Sequence, residues 1–508
     1  MNHVLCGLAA NEALPYELVG RLIAVADADI ADALAGRADL SREQAVDLAK
    51  RVEEATARLA YEGRLTAADI DPLARPEAAL ALLDAGSGDL QWARLFAQDP
   101  DPERRAKLAA CPGLPADVRE SLACDPDVQV VAELALWTTA DMAARLARHP
   151  HAEVRRAVAG NEATPPQVLA MLVTGEGLPP AERCLVCDRE ETPYAHDPHC
   201  PRLDCDLRSG ASCAGSHEST LHEMADQALR NPATPIAALL RFADHPSALL
   251  RWELAARPDL PPQTAARLAD DPVPGVRGDL AQNPAIDDAT VRVLAADLGH
   301  DVQRRLAHNP RVPLDVLSDL AAATKIGSTL LPRIASTSPS EIEDLSRSSN
   351  PVLRMLLAER RDLPAEIRDL LADDPDAKVV KSIAQHPGLS EAQLRSMVER
   401  HGAQVAAKVA ANPETPAALL EDLTGHVPPV RKGLREIARH PNATGPALLV
   451  CLTDRQARRV AAGHPALPPE AIVELLADCD WQVVEAAAAN PSLPLAVMAE
   501  LIPEPHGA

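Results

Sequence analysis

Apolar residues recur along this chain at helical spacing, in short runs that Pro-containing dipeptides separate. Such regular punctuation is typical of an internal repeat. Four of these dipeptides follow one another at a constant step of 26 residues: Asn231-Pro232, Arg257-Pro258, Asn283-Pro284 and Asn309-Pro310.

One repeat predicts two short helices. Thr234-Pro235 is a favourable helix start, because a threonine hydroxyl can accept a hydrogen bond from an unpaired backbone N–H and proline has no N–H to leave unpaired. Ile236 and Leu239 then lie on one helix face, and Pro246 ends the helix. The second half repeats the pattern, so a unit is two antiparallel helices of about two to three turns each. Helices this short are stable only when packed against the next copy.

The repeats predict an all-α fold: a right-handed α-solenoid of about eighteen 26-residue two-helix repeats with one small metal-binding insertion. The insertion is inferred from spacing, because Glu162 and Pro232 are 70 residues apart where one step of 26 is expected. The chain is therefore divided into N-terminal α-repeats (1–173), a cysteine-rich insertion (174–220), C-terminal α-repeats (221–502) and a flexible tail (503–508).

Several repeats share the pattern Asn-Pro-x-Thr/Leu-Pro-x-x-Leu-Leu-x-x-Leu-Ala-x-Asp-Pro-x-x-x-Val-Arg-x-x-Leu-Ala, as from Asn412 to Leu423 and from Leu268 to Ala281. This pattern resembles the leucine-rich repeat variant family, whose repeats are HEAT-like. The resemblance implies a superhelix of α-helices alternating with shorter, partly 3₁₀ helices, and in some members a cysteine-bound iron–sulfur domain. It implies no known reaction. In this chain the cysteine segment lies inside the array instead of ahead of it.

Five of the ten cysteines are crowded between residues 184 and 213. That segment has few apolar residues, so a bound metal would supply the folding free energy that burial cannot. Cys184-x2-Cys187 and Cys200-x4-Cys205 are two ligand pairs with the spacing of a tetrahedral site, and they are the predicted ligands. Three further residues are alternate ligands: Cys213, His199 and His217.

Two paired ligand sets favour Zn²⁺ as the metal. An iron–sulfur cluster is the alternative, because four cysteines can hold one and the family resemblance includes such a domain. The stretch from Cys213 to His217 is also similar to the end of the CDGSH iron–sulfur motif, although Ala214 stands where that motif has aspartate. Four protein ligands predict a closed structural site, whereas catalysis needs an open position.

An arginine recurs after the apolar residue that opens the second helix of many repeats, and a repeated position forms a row on one face. The row could bind phosphates or the acidic segments of a partner. The favoured alternative is a ladder of ion pairs with loop aspartates such as Asp271, Asp301 and Asp374. The candidate partner-binding residues are Arg155, Arg251, Arg277, Arg304, Arg354, Arg431 and Arg458.

Composition narrows the function classes. The net charge of −24 argues against a surface that binds nucleic acid or anionic lipid nonspecifically. The chain contains neither an 18-residue apolar run nor a signal-peptide pattern, so we expect a cytoplasmic protein without a membrane partner. A phosphate-binding Gly-rich loop, a Gly-x-Ser-x-Gly elbow and the kinase and protease motifs are also missing from the sequence. We therefore expect neither an enzyme nor a small-molecule substrate.

These observations predict a protein–protein interaction scaffold or adaptor with a structural metal knob, whose partner is a protein. Two alternatives stay open. One is an iron–sulfur redox-sensing or electron-transfer repeat protein. The other is a nucleic-acid-binding helical-repeat protein that uses the arginine row, and its DNA affinity would fall steeply with salt.

Overall fold

The computed structural model describes residues 2–188 and 217–504. These ranges consist of helices and short turns, and the only β-bridge described in them is an isolated parallel one between His151 and Arg183. The all-α class is confirmed. Residue contacts divide the chain into two units, Asp71–Lys325 and Met1–Ile70 with Ile326–Ala508, which are described separately below. The domain boundaries at residues 173, 220 and 502 stay a prediction, as do the handedness and the number of repeats.

The described α-helices are mostly seven to eleven residues long, as the repeat predicts. In chain order they are α1 (His3–Ala10), α2 (Tyr16–Ala24), α3 (Ala28–Ala35), α4 (Arg42–Arg51), α5 (Ala55–Tyr61), α6 (Pro76–Asp84), α7 (Leu90–Phe96), α8 (Pro102–Ala110), α9 (Ala116–Ala123), α10 (Val128–Trp137), α11 (Ala140–Leu146), α12 (Ala152–Gly160), α13 (Pro166–Thr174), α14 (Leu185–Asp188), α15 (Glu218–Arg230), α16 (Ile236–Leu239), α17 (Ala248–Ala255), α18 (Pro262–Ala269), α19 (Pro274–Gln282), α20 (Asp288–Ala295), α21 (His300–Ala307), α22 (Leu314–Ala323), α23 (Pro332–Ala335), α24 (Pro339–Ser346), α25 (Pro351–Leu357), α26 (Ala365–Ala372), α27 (Ala377–Ile383), α28 (Glu391–His401), α29 (Ala403–Ala410), α30 (Ala417–Thr424), α31 (Arg431–Arg439), α32 (Gly445–Cys451), α33 (Arg455–Ala462), α34 (Pro469–Leu475), α35 (Trp481–Ala488) and α36 (Leu495–Leu501). Two 3₁₀ helices occupy Ala67–Asp69 and Leu240–Asp244.

In the unit Asp71–Lys325 the second helices of successive repeats pack against one another, as α17, α19 and α21 do. Their apolar positions are fully buried: Val276 and Leu280 in α19, and Val302 and Leu306 in α21, each have 0% of their surface exposed. These pairs are four residues apart, so each lies on one helix face. Burial against the next repeat therefore supplies the stability that a single short helix lacks.

The asparagine of each Asn-Pro dipeptide ties one repeat to the preceding one. The Asn283 side-chain amide donates to the carbonyl oxygens of Ala255 and Arg257, both at 2.7 Å. Its Oδ1 accepts from the backbone N–H of Ala285 at 2.8 Å. One side chain thus satisfies carbonyls at the end of the preceding repeat's helix and also holds its own turn. We call this arrangement a rung, and in this unit it recurs at Asn161, Asn231 and Asn309.

Arginine forms some of the rungs instead. Arg257 donates to the carbonyl oxygens of Asn231 at 2.8 Å and Thr234 at 3.1 Å, while Asp259 accepts from its Nε at 2.9 Å. The guanidinium group reaches the same carbonyls as an asparagine amide, and the aspartate two residues later neutralises its charge. The same Arg-x-Asp set occurs at Arg37 with Asp39 and at Arg360 with Asp362.

In the unit of Met1–Ile70 and Ile326–Ala508, the amino-terminal repeat lies against the carboxyl-terminal ones. Helix α1 packs on α35. The Asn11 side-chain amide donates to the carbonyls of Ala488 at 2.9 Å and Asn490 at 2.8 Å, and Asn490 donates in the same way to Ala462 and His464. Asn11 is therefore the rung that follows Asn490, although about 480 residues separate them along the chain. The repeat pattern did not predict this contact.

Histidine forms two rungs of this unit. His464 Nε2 donates to the His440 carbonyl at 3.0 Å, and its Nδ1 accepts from the Ala466 N–H at 3.1 Å. His440 bonds to Asn412 in the same way. An imidazole can play both roles only when it is neutral, because Nδ1 must keep its lone pair. Burial lowers the pKa of His464 and outweighs the opposing effect of its bond to the His440 carbonyl.

We expect acidification to destabilise this unit through His464. The unfolded chain takes up the proton near the ordinary histidine pKa of about 6.5, whereas the folded chain resists it, so stability is complete above that pH and falls as the pH drops below it. The expected loss is on the order of 1 kcal/mol by about pH 5. Urea unfolding of the wild type and of His464→Asn, measured at about pH 7.5 and 5, checks this. Asparagine forms the rung without titrating, so an equal loss of stability in both proteins would contradict the role of His464.

Candidate metal centre

Two cysteines and one histidine of the insertion lie together. Cys184, Cys187 and His217 each offer a ligand atom, and these atoms lie within 4.8 Å of one another. The two sulfur atoms are 3.6 Å apart, and Cys187 Sγ is 3.5 Å from His217 Nδ1. The predicted pair Cys184 and Cys187 is therefore joined by a residue that the sequence offered only as an alternate.

The separations that Cys187 Sγ makes with Cys184 Sγ and with His217 Nδ1 match those of a tetrahedral zinc site. Zn–S bonds of about 2.3 Å and Zn–N bonds of about 2.0 Å place two sulfurs about 3.8 Å apart and a sulfur and a nitrogen about 3.5 Å apart. Two thiolates and an imidazole are also ligands that Zn²⁺ prefers. A closed site needs a fourth ligand. The remaining candidates, Cys200, Cys205, Cys213 and His199, lie outside the described residues.

Backbone hydrogen bonds to the start of α12 position Cys184. The Ala152 N–H donates to the Arg183 carbonyl at 2.8 Å, and the Glu182 N–H donates to the Pro150 carbonyl at 2.8 Å. Cys184 is 1% exposed. The single turn of α14 follows it and brings Cys187 to the same side, because residues three apart are neighbours on a helix.

An unusual backbone conformation positions His217. Its φ of 55° lies in the left-handed region, where no other non-glycine residue among those described is found. Histidine adopts this conformation at a cost of order 1 kcal/mol, so the surrounding contacts must hold it there. His217 immediately precedes α15 and is 4% exposed. The start of α15 is fixed by a buried hydrogen bond of 3.1 Å from the Thr220 hydroxyl to the Glu153 carboxylate.

A salt-bridged carboxylate joins the ligand segment to α12. Asp188 accepts from Arg183 Nε at 2.9 Å and contacts His151 Nε2 at 3.0 Å. His151 Nδ1 accepts from the Glu153 N–H, so Nε2 carries the proton and donates to Asp188. Burial opposes ionisation of Asp188, but the bonds from His151 and Arg183 outweigh it and lower the pKa of this carboxyl. The ligand pair thus lies on a segment fixed at both ends.

Arg155, a candidate partner-binding residue, fixes the backbone at the start of the insertion through hydrogen bonds. It donates from Nε to the His149 carbonyl at 2.6 Å and from Nη1 to the Pro179 carbonyl at 2.7 Å. Only 5% of Arg155 is exposed, and burial lowers its pKa. Its contacts are therefore those of a residue that fixes a loop.

Three further arginines of the row form ion pairs with loop aspartates twenty residues later. Asp271 and Asp374 are buried and Asp297 is half-buried. Each aspartate also accepts from a backbone N–H two residues later, so the pair closes a turn. In one of them the bond from Arg277 lowers the pKa of Asp297. The Nε to carboxylate distances are 2.6 Å for Arg251 and Asp271, 2.5 Å for Arg277 and Asp297, and 2.7 Å for Arg354 and Asp374. These distances are those of a ladder of ion pairs between repeat arginines and loop aspartates.

The last three arginines of the row differ from one another. Arg304 is exposed and pairs with Asp301 at 2.7 Å, and Arg458 pairs with the half-buried Asp478. Arg431 instead lines a groove together with other basic residues. A partner-binding role for the row stays a prediction, but the arginines differ in how much of their charge is already neutralised.

Sequence reasoning missed that groove. Its volume is about 760 Å³. A signal was present, since residues 425–460 contain seven Lys or Arg and only two Asp or Glu in a chain whose net charge is −24. The basic residues that line it are Lys381, Lys408, Arg431, Lys432, Arg435 and Arg439.

None of the helices in residues 2–188 and 217–504 is both long enough and apolar enough to cross a membrane.

Comparisons with known proteins identify no family. No protein-family model matches the chain, and no curated protein matches it. Among solved structures, the chain is similar to an engineered protein from the Northeast Structural Genomics Consortium, at 15% identity over 85% of this chain and 98% of that one. The TM-score of this pair is 0.18, which is too low to support an argument about fold or function.

Proposed function

We propose that this protein is an interaction scaffold for other proteins and that a structural zinc ion folds its insertion. The observation that carries the proposal is the ligand set of Cys184, Cys187 and His217, with its 3.6 Å and 3.5 Å separations. The set lies where the insertion leaves α13 and re-enters at α15. A zinc ion there would bind both ends of the inserted segment and supply the folding free energy that its polar composition lacks.

The mixed ligand set favours zinc over an iron–sulfur cluster. Structural zinc sites combine cysteine and histidine freely, whereas most iron–sulfur clusters are held by four cysteines. With one further cysteine from the insertion, Cys184, Cys187 and His217 would complete a Cys₃His site. The low exposure of Cys184 and His217 supports a structural role, because a catalytic zinc needs a position open to water and substrate.

The repeat architecture supports the scaffold function. Each repeat contacts mainly its neighbours, so an array presents a large surface relative to its core. The side chains that the sequence singled out, such as Arg251 and Arg277, hold turns through their aspartates. Function is therefore assigned to the surfaces that remain and to the insertion. We propose a cytoplasmic location, where the thiols of the site stay reduced.

Metal analysis tests the site. The protein purified without oxygen is expected to contain one zinc per chain and to show no visible absorption. Cys184→Ser is expected to lose the zinc and yet keep most of its helical circular dichroism at 222 nm, because repeats fold against their neighbours. Cys124→Ser is the matched control: Cys124 is exposed and lies outside the ligand set, so this variant should keep its zinc.

Two outcomes would contradict the metal proposal. If the purified protein contains iron and acid-labile sulfide, the insertion binds a redox cluster and not zinc. Electron transfer then becomes the leading function. Zinc that survives Cys184→Ser and His217→Ala would place the metal elsewhere. The scaffold function has its own test: binding to duplex DNA that weakens steeply as salt rises would identify a nucleic-acid-binding protein instead.

A further inference from the structure

A basic groove runs across three helices of the unit that contains residues 326–508. Helices α27, α29 and α31 pack in succession. Lys381 comes from the first, Lys408 from the second, and Arg431, Lys432 and Arg435 from the third. One concavity of about 760 Å³ thus gathers cations from three consecutive repeats.

The cations of the groove are poorly neutralised. Arg435 lies 4.0 Å from Asp454, and Arg439 lies 3.5 Å from Glu436. Among the described residues, no carboxylate forms an ion pair with Arg431, Lys432 or Lys381, and all three are exposed. The Nε atom of Arg435 is buried and has no hydrogen-bond partner among the described residues. The groove therefore differs from the arginine ladder, in which each guanidinium group already has its aspartate.

The charge of the groove opposes that of the whole chain, which is −24. Salt screens charges beyond about 8 Å at physiological ionic strength, so a short ligand experiences mainly the local cations. A long polyanion such as duplex DNA would extend beyond the groove, where the net negative charge of the chain opposes its binding. The difference between the positive groove and the negative chain therefore favours a short anionic segment as its ligand.

The rest of the lining suits a polypeptide. Three alanines, Ala403, Ala407 and Ala411, are small enough to let a backbone approach, and Gln404 and Gln456 can donate to and accept from peptide groups. None of the described residues that line the groove is aromatic, so it offers no surface on which bases could stack.

We propose that this groove binds an acidic peptide segment of a partner protein, with Arg431, Lys432 and Arg435 pairing with its carboxylates. The inference rests on the proposed scaffold function and names its docking surface and the chemistry of its partner. Guanidinium groups can bind carboxylates through two parallel hydrogen bonds, which gives orientation as well as attraction. Electrostatic complementarity of this kind selects partners and speeds their association.

The test is binding of a fluorescent glutamate-rich peptide to the full chain, followed by anisotropy at low and physiological salt. The variant is Arg431→Glu with Lys432→Glu. Both positions lie in the first turn of α31, where glutamate is favoured by the helix dipole, so the variant is expected to fold. We expect at least about tenfold weaker binding. The matched control is Lys50→Glu with Arg51→Glu on α4, another exposed Lys-Arg pair whose reversal changes the net charge equally and should leave the affinity unchanged.

Each other outcome overturns the inference in a distinguishable way. If the peptide binds and both double variants bind it as well as the wild type does, the groove is not the site, and the scaffold function stands. If a DNA duplex binds in a salt-sensitive manner and the Arg431/Lys432 variant alone loses it, the groove binds nucleic acid, and the scaffold function falls as well. If neither probe binds, the groove is not an anion site.

Discussion

Replacing Asn309 with alanine is expected to destabilise the unit Asp71–Lys325 by about 3–5 kcal/mol. Asn309 is 0% exposed, and its side chain makes three hydrogen bonds. Its amide donates to the carbonyls of Ala281 at 2.9 Å and Asn283 at 2.8 Å, and its Oδ1 accepts from the Arg311 N–H at 2.9 Å. Alanine leaves two buried carbonyls and one part-buried N–H without these partners, and each buried group costs about 1–3 kcal/mol. Urea unfolding followed by circular dichroism measures the loss.

The matched control is Asn442→Ala. Asn442 is exposed, and its side-chain amide donates a single bond of 3.1 Å to the Thr415 carbonyl, which water can replace. Its loss should cost less than about 1 kcal/mol. Hydrogen exchange locates the effect: amides of α19 and α21 should lose protection in the Asn309 variant before those of more distant repeats. Equal stability of the two variants would mean that the rungs do not join the repeats.

The repeat could be predicted because it is a local pattern. The 26-residue step of the Asn-Pro dipeptides reappears as the sequence separation between Asn309 and the Asn283 carbonyl to which it donates. Helical spacing likewise located the buried pairs such as Val276 and Leu280. What the pattern does not encode is the direction of a side chain, so asparagine could be recognised as a turn residue but not as a donor to the preceding repeat.

The ligand set could be predicted only in part. Cys184 and Cys187 are three residues apart, and one turn of helix is enough to bring their sulfurs together. His217 is 30 residues from Cys187, and its place depends on α15 packing against α12 through Thr220 and Glu153. Spacing cannot supply such a tertiary contact, so the sequence alone favours Cys200 and Cys205 over His217.

Charge pairing was the least predictable feature of the surface. Arginines at one repeat position look alike in sequence, yet Arg277 meets Asp297 at 2.5 Å, whereas Arg431 has no aspartate at the corresponding place. In the sequence, residue 451, twenty after Arg431, is a cysteine, whereas residue 297 is an aspartate. The pairing rule becomes readable once the twenty-residue separation is known, but that separation comes from the structure.

The contact between α1 and α35 could not be predicted from the repeat pattern either. Spacing along the chain does not indicate that the first repeat packs against the last ones. Three interactions accompany the Asn11 rung. The His3 ring stacks on Trp481 with their centroids 4.6 Å apart, and Arg21 donates to the Ile502 carbonyl at 2.7 Å. Gly7 lies against the backbone of α35, and this close approach is available only to a residue without a Cβ.

Gly7→Ala is therefore expected to disrupt the packing of α1 on α35. An alanine Cβ would collide with the Glu485 carbonyl oxygen and lie 2.7 Å from the Ala488 Cβ, well inside van der Waals contact. Neither atom belongs to a flexible side chain, so the helices must separate, at a cost of about 1–3 kcal/mol. Hydrogen exchange should show faster exchange in residues 3–10 and 481–488, and fluorescence of Trp481 should shift as its contact with His3 loosens.

Gly20→Ala separates this steric effect from the general effect of alanine. Gly20 is inside α2, and an added Cβ would meet no atom within 4 Å. Alanine at an open helical position is expected to stabilise the helix by about 1 kcal/mol, because glycine loses more backbone entropy on folding. The two substitutions should thus shift stability in opposite directions. If Gly7→Ala is as well tolerated as Gly20→Ala, and exchange at residues 481–488 is unchanged, α1 does not pack on α35 and the Asn11 rung is not formed in solution.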